Sequence, residues 1–218
     1  MATVLITGAS RGIGAEMARQ ALARGDVVIA CARRPETVPE GTERHALDVT
    51  DPASHARLVE ALAGRRIYLL VCNAGVLLGR GRLGDPFPAK AWAETFAVNV
   101  TGFFLTVEAL RPNLSEDSKI AVISSRMGSS AQAPGGSYIY RASKAAATNL
   151  ARNLAADLRP AGIAVGAYHP GWVRTDMGGA SADVDVRDSA AGLLARFEAL
   201  SLETTGAFES FDGTPIPF

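Results

Sequence analysis

Tyr140 and Lys144 stand four residues apart in Ser137-Tyr138-Ile139-Tyr140-Arg141-Ala142-Ser143-Lys144, a stretch that reads as the opening of a helix. At that spacing the phenol and the ammonium share one helix face. A cation held beside a phenol favours the phenolate and lowers a pKa that is about 10 when unperturbed. The tyrosine then becomes a usable acid or base near neutrality. The chain holds four tyrosines and three lysines, so one such pair is weak by itself. Tyr68, Tyr138 and Tyr168 have no lysine at that spacing.

A second constellation lies at the amino end. Ala2 to Thr7 is a short, β-branched apolar run that reads as a buried strand. It ends in Gly8-Ala9-Ser10-Arg11-Gly12-Ile13-Gly14, and an amphipathic stretch from Ala15 to about Arg24 follows, with Met17, Ala18, Ala21 and Leu22 on one face. Strand, glycine turn and helix make a phosphate cradle: glycines let the backbone approach a pyrophosphate, and the free N–H groups at the positive end of the helix bind it. The spacing is Gly-x-x-x-Gly-x-Gly, and no Gly-Lys-Ser or Gly-Lys-Thr follows, which excludes a P-loop.

The elements that must hold these groups alternate. Strands are expected at Asp26 to Ala32, Glu43 to Leu47, Ile67 to Cys72, Lys119 to Ser124, Ile163 to Tyr168 and Ala207 to Phe211. Helices are expected at Asp51 to Ala63, capped by Thr50 or Asp51, at about Lys90 to Leu110, stopped by Pro112, at Tyr138 to Leu158, and at Asp188 to Leu200. Such alternation predicts an α/β fold of Rossmann type, a doubly wound parallel sheet of about seven strands in a three-layer α/β/α sandwich. Gly8, Asn73, Ser125 and Gly171 all fall just past an expected strand end, on the edge where such sheets bind ligands.

The bulk properties agree. A chain of 218 residues, 48% hydrophobic, buries one sizeable core and reads as a single domain over residues 1–218. Lys plus Arg equals Asp plus Glu at 22 each, so no overall field attracts nucleic acid or a membrane surface. Without a signal peptide or an apolar run long enough to span a bilayer, a soluble cytoplasmic protein is expected. Cys31 and Cys72 read as buried, reduced thiols, and His45, His55 and His169 are scattered, with no metal expected.

Charge bears on the dinucleotide. An acidic residue about twenty positions past the glycine turn of this fold favours NAD and repels a 2′-phosphate. Here the strand ends Ala30-Cys31-Ala32-Arg33-Arg34. With no carboxylate at its tip, and with Arg33, Arg34 and Arg11 able to grip a phosphate, NADP(H) is expected over NAD(H).

Together these motifs resemble the short-chain dehydrogenase/reductase family in its compact single-domain branch. Thr7-Gly8-x-x-x-Gly12-Ile13-Gly14 is similar to the family's cofactor turn, Cys72-Asn73-Ala74-Gly75 to its Asn-Ala-Gly motif and Tyr140-x-x-x-Lys144 to its catalytic pair. Asn99, Ser124-Ser125 and Pro170-Gly171-Trp172-Val173-x-Thr175 fall in the expected order. The departures are Cys72, where a second asparagine is common, and a somewhat short chain. The resemblance implies hydride transfer between nicotinamide C4 and a carbonyl carbon. Tyr140 would donate the proton and Ser125, with Ser124 as the alternative, would stabilise the oxyanion. Lys144 would depress the Tyr140 pKa and hold the nicotinamide ribose, and Asn99 would serve a water-linked relay to it. Cofactor contacts implied are Thr7, Gly8, Ser10, Arg11, Gly12, Ile13 and Gly14 in the turn, and Asp48 and Val49 at the adenine, where Asp48 is alternatively a turn or cap residue. Asn73, Ala74 and Gly75 would lie along the ribose, and Pro170, Gly171, Val173 and Thr175 on the nicotinamide and diphosphate side, with Tyr140 and Lys144 also touching cofactor.

Gly135-Gly136-Ser137-Tyr138-x-Tyr140-Arg141-x-Ser143-Lys144 and the ending Asp212-Gly213-Thr214-Pro215-Ile216-Pro217-Phe218 are most similar to the family's C-factor and carbonyl-reductase-like group. That likeness implies aldehydes, ketones or quinones, reversibly with their alcohols, or alternatively an NADP(H)-binding signalling protein with little turnover. It also implies a short mobile lid over the substrate between Trp172 and Val186. Ala145, Ala146, Ala147, Leu150, Leu154 and Leu158 supply apolar surface for a core face and part of a homodimer or homotetramer interface. A Ser-His-Asp hydrolase is disfavoured, because no Gly-x-Ser-x-Gly elbow surrounds Ser124, Ser125, Ser129 or Ser130.

Overall fold

The central strands form where short apolar runs bury both of their faces. The computed structural model describes residues 1–218. Thr3–Thr7 (β1), Val27–Ala32 (β2), Glu43–Ala46 (β3), Leu69–Cys72 (β4), Lys119–Ile123 (β5), Ala164–His169 (β6) and Phe208–Ser210 (β7) form one sheet. Its order is β3-β2-β1-β4-β5-β6-β7, with every neighbouring pair parallel. The helices are Gly12–Ala23 (α1), Pro52–Leu62 (α2), Ala89–Phe96 (α3), Gly102–Leu110 (α4), Tyr138–Leu158 (α5) and Val186–Ala199 (α6).

Side chains alternate across the sheet and build a core on each face. Ile6, Val28 and Val71 point to the face covered by α1 and α6, where they meet Met17 and Phe197. Their neighbours Leu5, Ile29 and Leu70 point to the other face, against residues such as Leu58, Phe103 and Ala151 from α2, α4 and α5. Each Leu or Ile so buried contributes about 1.5–3 kcal/mol. The strand order reverses between β1 and β4, so the connections leaving those strands diverge and open a crevice at their carboxyl ends.

Most elements lie within two or three residues of the expected bounds, and the differences have local causes. Helix α1 begins at Gly12, ahead of Ala15, because Ala15 N already donates to Arg11 O at 3.3 Å. Asp51, not Thr50, caps α2, its carboxylate accepting from Ala53 N at 2.9 Å. The helix expected to run unbroken to Leu110 is interrupted: a wider π turn at Ala97–Thr101 separates α3 from α4, and Asn99 sits inside it. No helix is long and apolar enough to cross a membrane. Cys31 and Cys72 are buried and free, and burial pushes both thiols up, Cys31 to about 12.

Candidate active site

The glycine turn is built by close approach. Gly8 has φ +67°, and a Cβ on it would lie 2.8 Å from Ala74 Cα; one on Gly14 would lie 2.4 Å from Asn73 Nδ2. Only glycine lets β1, β4 and α1 meet this tightly. Asn73 Nδ2 donates to Thr7 O at 2.9 Å and Gly8 O at 3.1 Å, while Thr7 Oγ1 accepts from Asn73 N and Ala74 N, each at 3.1 Å. The polar side-chain atoms of Thr7 and Asn73, expected to contact cofactor, therefore lace the turn to β4. Helix α1 opens on Arg11 with no side-chain cap and no acid in its first turn, which leaves the N–H groups of Gly12, Ile13 and Gly14 without acceptors in the chain. Free N–H groups at the start of a helix can hold an anion, and Gly12 leaves them open, with Thr175 Cγ2 3.4 Å from where a Cβ would stand.

Around it the other expected contacts spread along one edge. Ser10 is half-buried in the turn. Arg11, expected over a phosphate, pairs with Asp176 at 2.8 Å, both side chains largely exposed. Arg33 and Arg34 follow β2 directly, are exposed, and make no ion pair. Asp48 Oδ1 accepts from Thr50 N at 2.9 Å and Thr50 Oγ1 at 2.7 Å. Those bonds, helped by the Arg33 charge, hold its carboxyl below the usual range, so the turn role is present. Val49 is a core residue packed on Gly102, where a Cβ would lie 2.7 Å from its Cγ2. Ala74 and Gly75 run half-buried past β4.

Helix α5 carries Tyr140 and Lys144, which are 8% and 5% exposed, so both are desolvated. Burial pushes the Tyr140 phenol up to about 12, opposed by the Ser125 hydroxyl beside it and by the Arg80 charge. Burial likewise pulls Lys144 down to about 8. The expected depression of the Tyr140 pKa by Lys144 is thus not found. The Lys144 amine donates to Ile123 O at 2.7 Å and stands 5.7 Å from the Tyr140 ring centre, and the loss of solvent around the phenolate outweighs it.

The two serines after β5 have different surroundings. Ser124 Oγ bonds Thr148 Oγ1 at 2.5 Å and Lys144 O at 3.2 Å, while Ser125 Oγ accepts from Met127 N at 3.1 Å and faces Tyr140. Asn99, turned inward by the π turn, has a fully satisfied amide: Oδ1 accepts from Val76 N at 2.8 Å, and Nδ2 donates to Val76 O at 2.9 Å and Ser143 Oγ at 3.0 Å. Ser143 Oγ in turn donates to Tyr140 O at 2.8 Å. Asn99 and Lys144 crowd Gly75 together, their Oδ1 and Nζ lying 3.3 and 3.6 Å from where its Cβ would be.

Past β6, the chain from Pro170 to Val184 folds back as a loop. Pro170 O accepts from Ser189 Oγ at 2.6 Å, Gly171 packs on Val184 and Phe211, Val173 is buried, and Thr175 Oγ1 caps Gly178 N at 3.1 Å. Ser125 and Tyr140 open on a cavity of about 770 Å³ that reaches Ile13 of the glycine turn on one side and Trp172 and Met177 of this loop on the other. Sequence reading missed Ser143 and Thr148 as supports, although Thr148 lies one turn beyond Lys144 on the same face. It also missed Arg80, Arg126, Arg141 and His169 in the cavity wall, for which spacing carries no signal. No group of three His, Cys, Asp or Glu side chains is placed to hold a metal.

This geometry has close counterparts. The family model for short chain dehydrogenases matches residues 2–185. The chain is 40% identical over 155 residues to the C-signal of Myxococcus xanthus, covering 70% of this chain and 93% of that protein. It is 33% identical to the 1-hydroxy-2-glutathionyl-2-methyl-3-butene dehydrogenase of Rhodococcus sp. (strain AD45), covering 98% of each. The NADPH-bound carbonyl reductase from chicken fatty liver superposes with a TM-score of 0.86 at 31% identity, over 100% of this chain and 99% of that one. A match over most of the chain, joined to a glycine-built helix start and a buried Tyr-Lys pair on one sheet edge, makes this protein a member of the short-chain dehydrogenase/reductase family and an oxidoreductase.

Proposed function

We propose that the protein is a cytoplasmic, NADP(H)-dependent reductase of aldehydes, ketones or quinones, reversible with the alcohols, in which Tyr140 donates the proton. The observation that carries this reading is the Ser125 hydroxyl beside the Tyr140 phenol, in the wall of a cavity that also touches the glycine turn. A bound nicotinamide dinucleotide supplies the hydride. The chain's own residues do the rest. The N–H groups of Gly12, Ile13 and Gly14 bind the diphosphate, with Gly8, Ser10 and Arg11 forming the turn beneath it. Asp48, Val49, Ala74 and Gly75 border the adenosine half, and Pro170, Gly171, Val173 and Thr175 the nicotinamide half.

Ser125 and Tyr140 hydrogen-bond the carbonyl oxygen and so stabilise the charge that grows there. A phenol pushed up to about 12 remains protonated at neutral pH, the form that a donor in reduction needs. Lys144, drawn down to about 8, exchanges its proton near neutrality and restores that of Tyr140, with Asn99 positioning the relay behind it. Tyr140→Phe should still bind NADPH and lose carbonyl-dependent NADPH oxidation by about 10²–10⁴-fold. Undiminished turnover in that variant, followed at 340 nm as an absorbance decay of about the wild-type rate, would remove Tyr140 from the role.

The preference for NADP(H) rests on Arg33 and Arg34, which are exposed at the end of β2 with no ion-pair partner and no intervening carboxylate. Arg33→Asp with Arg34→Ala should weaken NADPH far more than NADH, by tenfold or more, roughly the contribution of one charge-assisted bond. An equal loss for both dinucleotides, read by titration calorimetry, would refute the clamp. The likeness to the C-signal favours a second reading, an NADP(H)-binding signalling protein with little turnover. Asn99, Ser125, Tyr140 and Lys144 together weigh against it, because a pure binder has no physical need for an acid. A homodimer or homotetramer over the half-buried Ala145, Ala146, Leu150 and Leu154 completes the proposal.

A further inference from the structure

Resting on the carbonyl-reductase reading, we propose that the substrate carries a carboxylate, held by Arg80, Arg126 and Arg141 in the cavity beside Ser125 and Tyr140. The wall of that cavity contains these three arginines and no aspartate or glutamate. In a chain whose acidic and basic residues balance at 22 each, that is a local excess of positive charge. Seven ion pairs form elsewhere in the molecule, and none involves Arg80, Arg126 or Arg141.

Arg141 carries the strongest sign of a missing partner. Its guanidinium is held only by two long contacts, from Nη1 to Met127 O and to Gln132 O, each at 3.4 Å. A guanidinium so weakly held in a cavity wall is free to take a carboxylate, the planar acceptor that fits its fork. The arginines flank the hydroxyls proposed to react: Arg126 follows Ser125, Arg141 follows Tyr140, and Arg80 reaches from the β4–α3 connection to donate to Met177 O.

The dinucleotide phosphates do not account for them. The anion site lies at the start of α1, beyond β1, and Arg33 and Arg34 lie beyond β2. In the order β2-β1-β4-β5, Arg126 follows a strand three places from β2, a separation of about 14 Å across the sheet. The cavity, at about 770 Å³, is shared: Pro170, Gly171, Val173 and Thr175 line the part assigned above to the nicotinamide, and Arg80, Arg126 and Arg141 line the remainder, which is left to the substrate.

The test compares para-carboxybenzaldehyde with its methyl ester, which share ring, aldehyde and approximate size and differ in charge. The ester is the intrinsically more electrophilic aldehyde, so chemistry alone would favour it. The acid should show a kcat/KM higher by about tenfold or more at low ionic strength, shrinking as salt is added. Equilibrium binding followed by tryptophan fluorescence, with Trp172 in the cavity wall, should show the same preference without turnover. Arg126→Gln and Arg141→Gln should bring the acid-to-ester ratio towards one, and Arg141→Lys, which keeps the charge and loses the fork, should give a smaller loss. If Arg141→Gln fails to fold, the exposed Arg126 decides.

Equal or reversed preference in both readouts overturns the carboxylate assignment, and ester turnover in that case leaves the reductase reading standing. Preferential binding of the acid that is lost in Arg126→Gln, with no NADPH oxidation on either aldehyde, upholds the anion site and sinks the reductase reading instead.

Discussion

Burial, more than any single neighbour, sets the chemistry of the site residues. Spacing correctly put Tyr140 and Lys144 on one face of a helix, but the direction of the Tyr140 shift depended on how little solvent reaches the phenol. His169 shows the same effect with a consequence for stability. Burial, together with the Arg126 charge and against that of Asp212, pulls its imidazole from 6.5 to about 4 in the folded protein. The unfolded chain keeps the ordinary value and binds the proton more tightly, so acid favours unfolding. Stability should therefore be complete above about pH 6.5 and fall as the pH drops towards 4. The loss from this residue is about 3 kcal/mol at most. His55, also lowered by burial, acts in the same direction. Denaturant midpoints measured across that window should slope less in His169→Gln than in the wild type. An unchanged slope would assign the acid sensitivity to other groups.

At the scale of elements, two substitutions of similar cost should separate support of the site from support of the fold. Asp51 caps α2, which packs on α4 away from the cavity. Asp51→Ala should cost about 1 kcal/mol and leave turnover unchanged. Gly128 lies in the short turn that follows Ser125 and presses against α5, where a Cβ would stand 2.6 Å from the backbone carbon of Lys144. Backbone against backbone cannot be relieved by a rotamer change. Gly128→Ala should cost about 1–3 kcal/mol and, by levering Ser125 away from Tyr140, lower kcat as well. The check is paired urea midpoints and NADPH oxidation rates, and wild-type turnover in Gly128→Ala would show that the turn is free to shift. Most element bounds were legible because apolar runs and their polar punctuation are local. The π turn was not, since the weak helix formers Val98, Asn99, Val100 and Thr101 do not separate a π turn from an α turn, and the turn is distinguished by the Asn99 amide reaching Val76 across the fold.

For the whole molecule, the two apolar clusters share one sheet, and every strand is bonded to its neighbours from β3 to β7. Unfolding by urea should therefore be one cooperative transition, with tryptophan fluorescence and far-ultraviolet circular dichroism giving the same midpoint. Separated midpoints would divide the chain into independent units. The order of apolar segments, the three glycines of the turn and the Tyr-x-x-x-Lys spacing are properties of contiguous residues, and from them the doubly wound sheet and the edge that carries the site followed without coordinates. Which serine faces Tyr140, that Arg11 pairs with Asp176, and that three unpaired arginines surround one cavity depend on contacts between segments remote in the chain. Such contacts, and the exclusion of water that shifts Tyr140 and Lys144, exist only once β1, β4, β5 and α5 have come together. Local pattern encodes where an element runs; the direction a side chain faces, and how dry its surroundings are, come from packing.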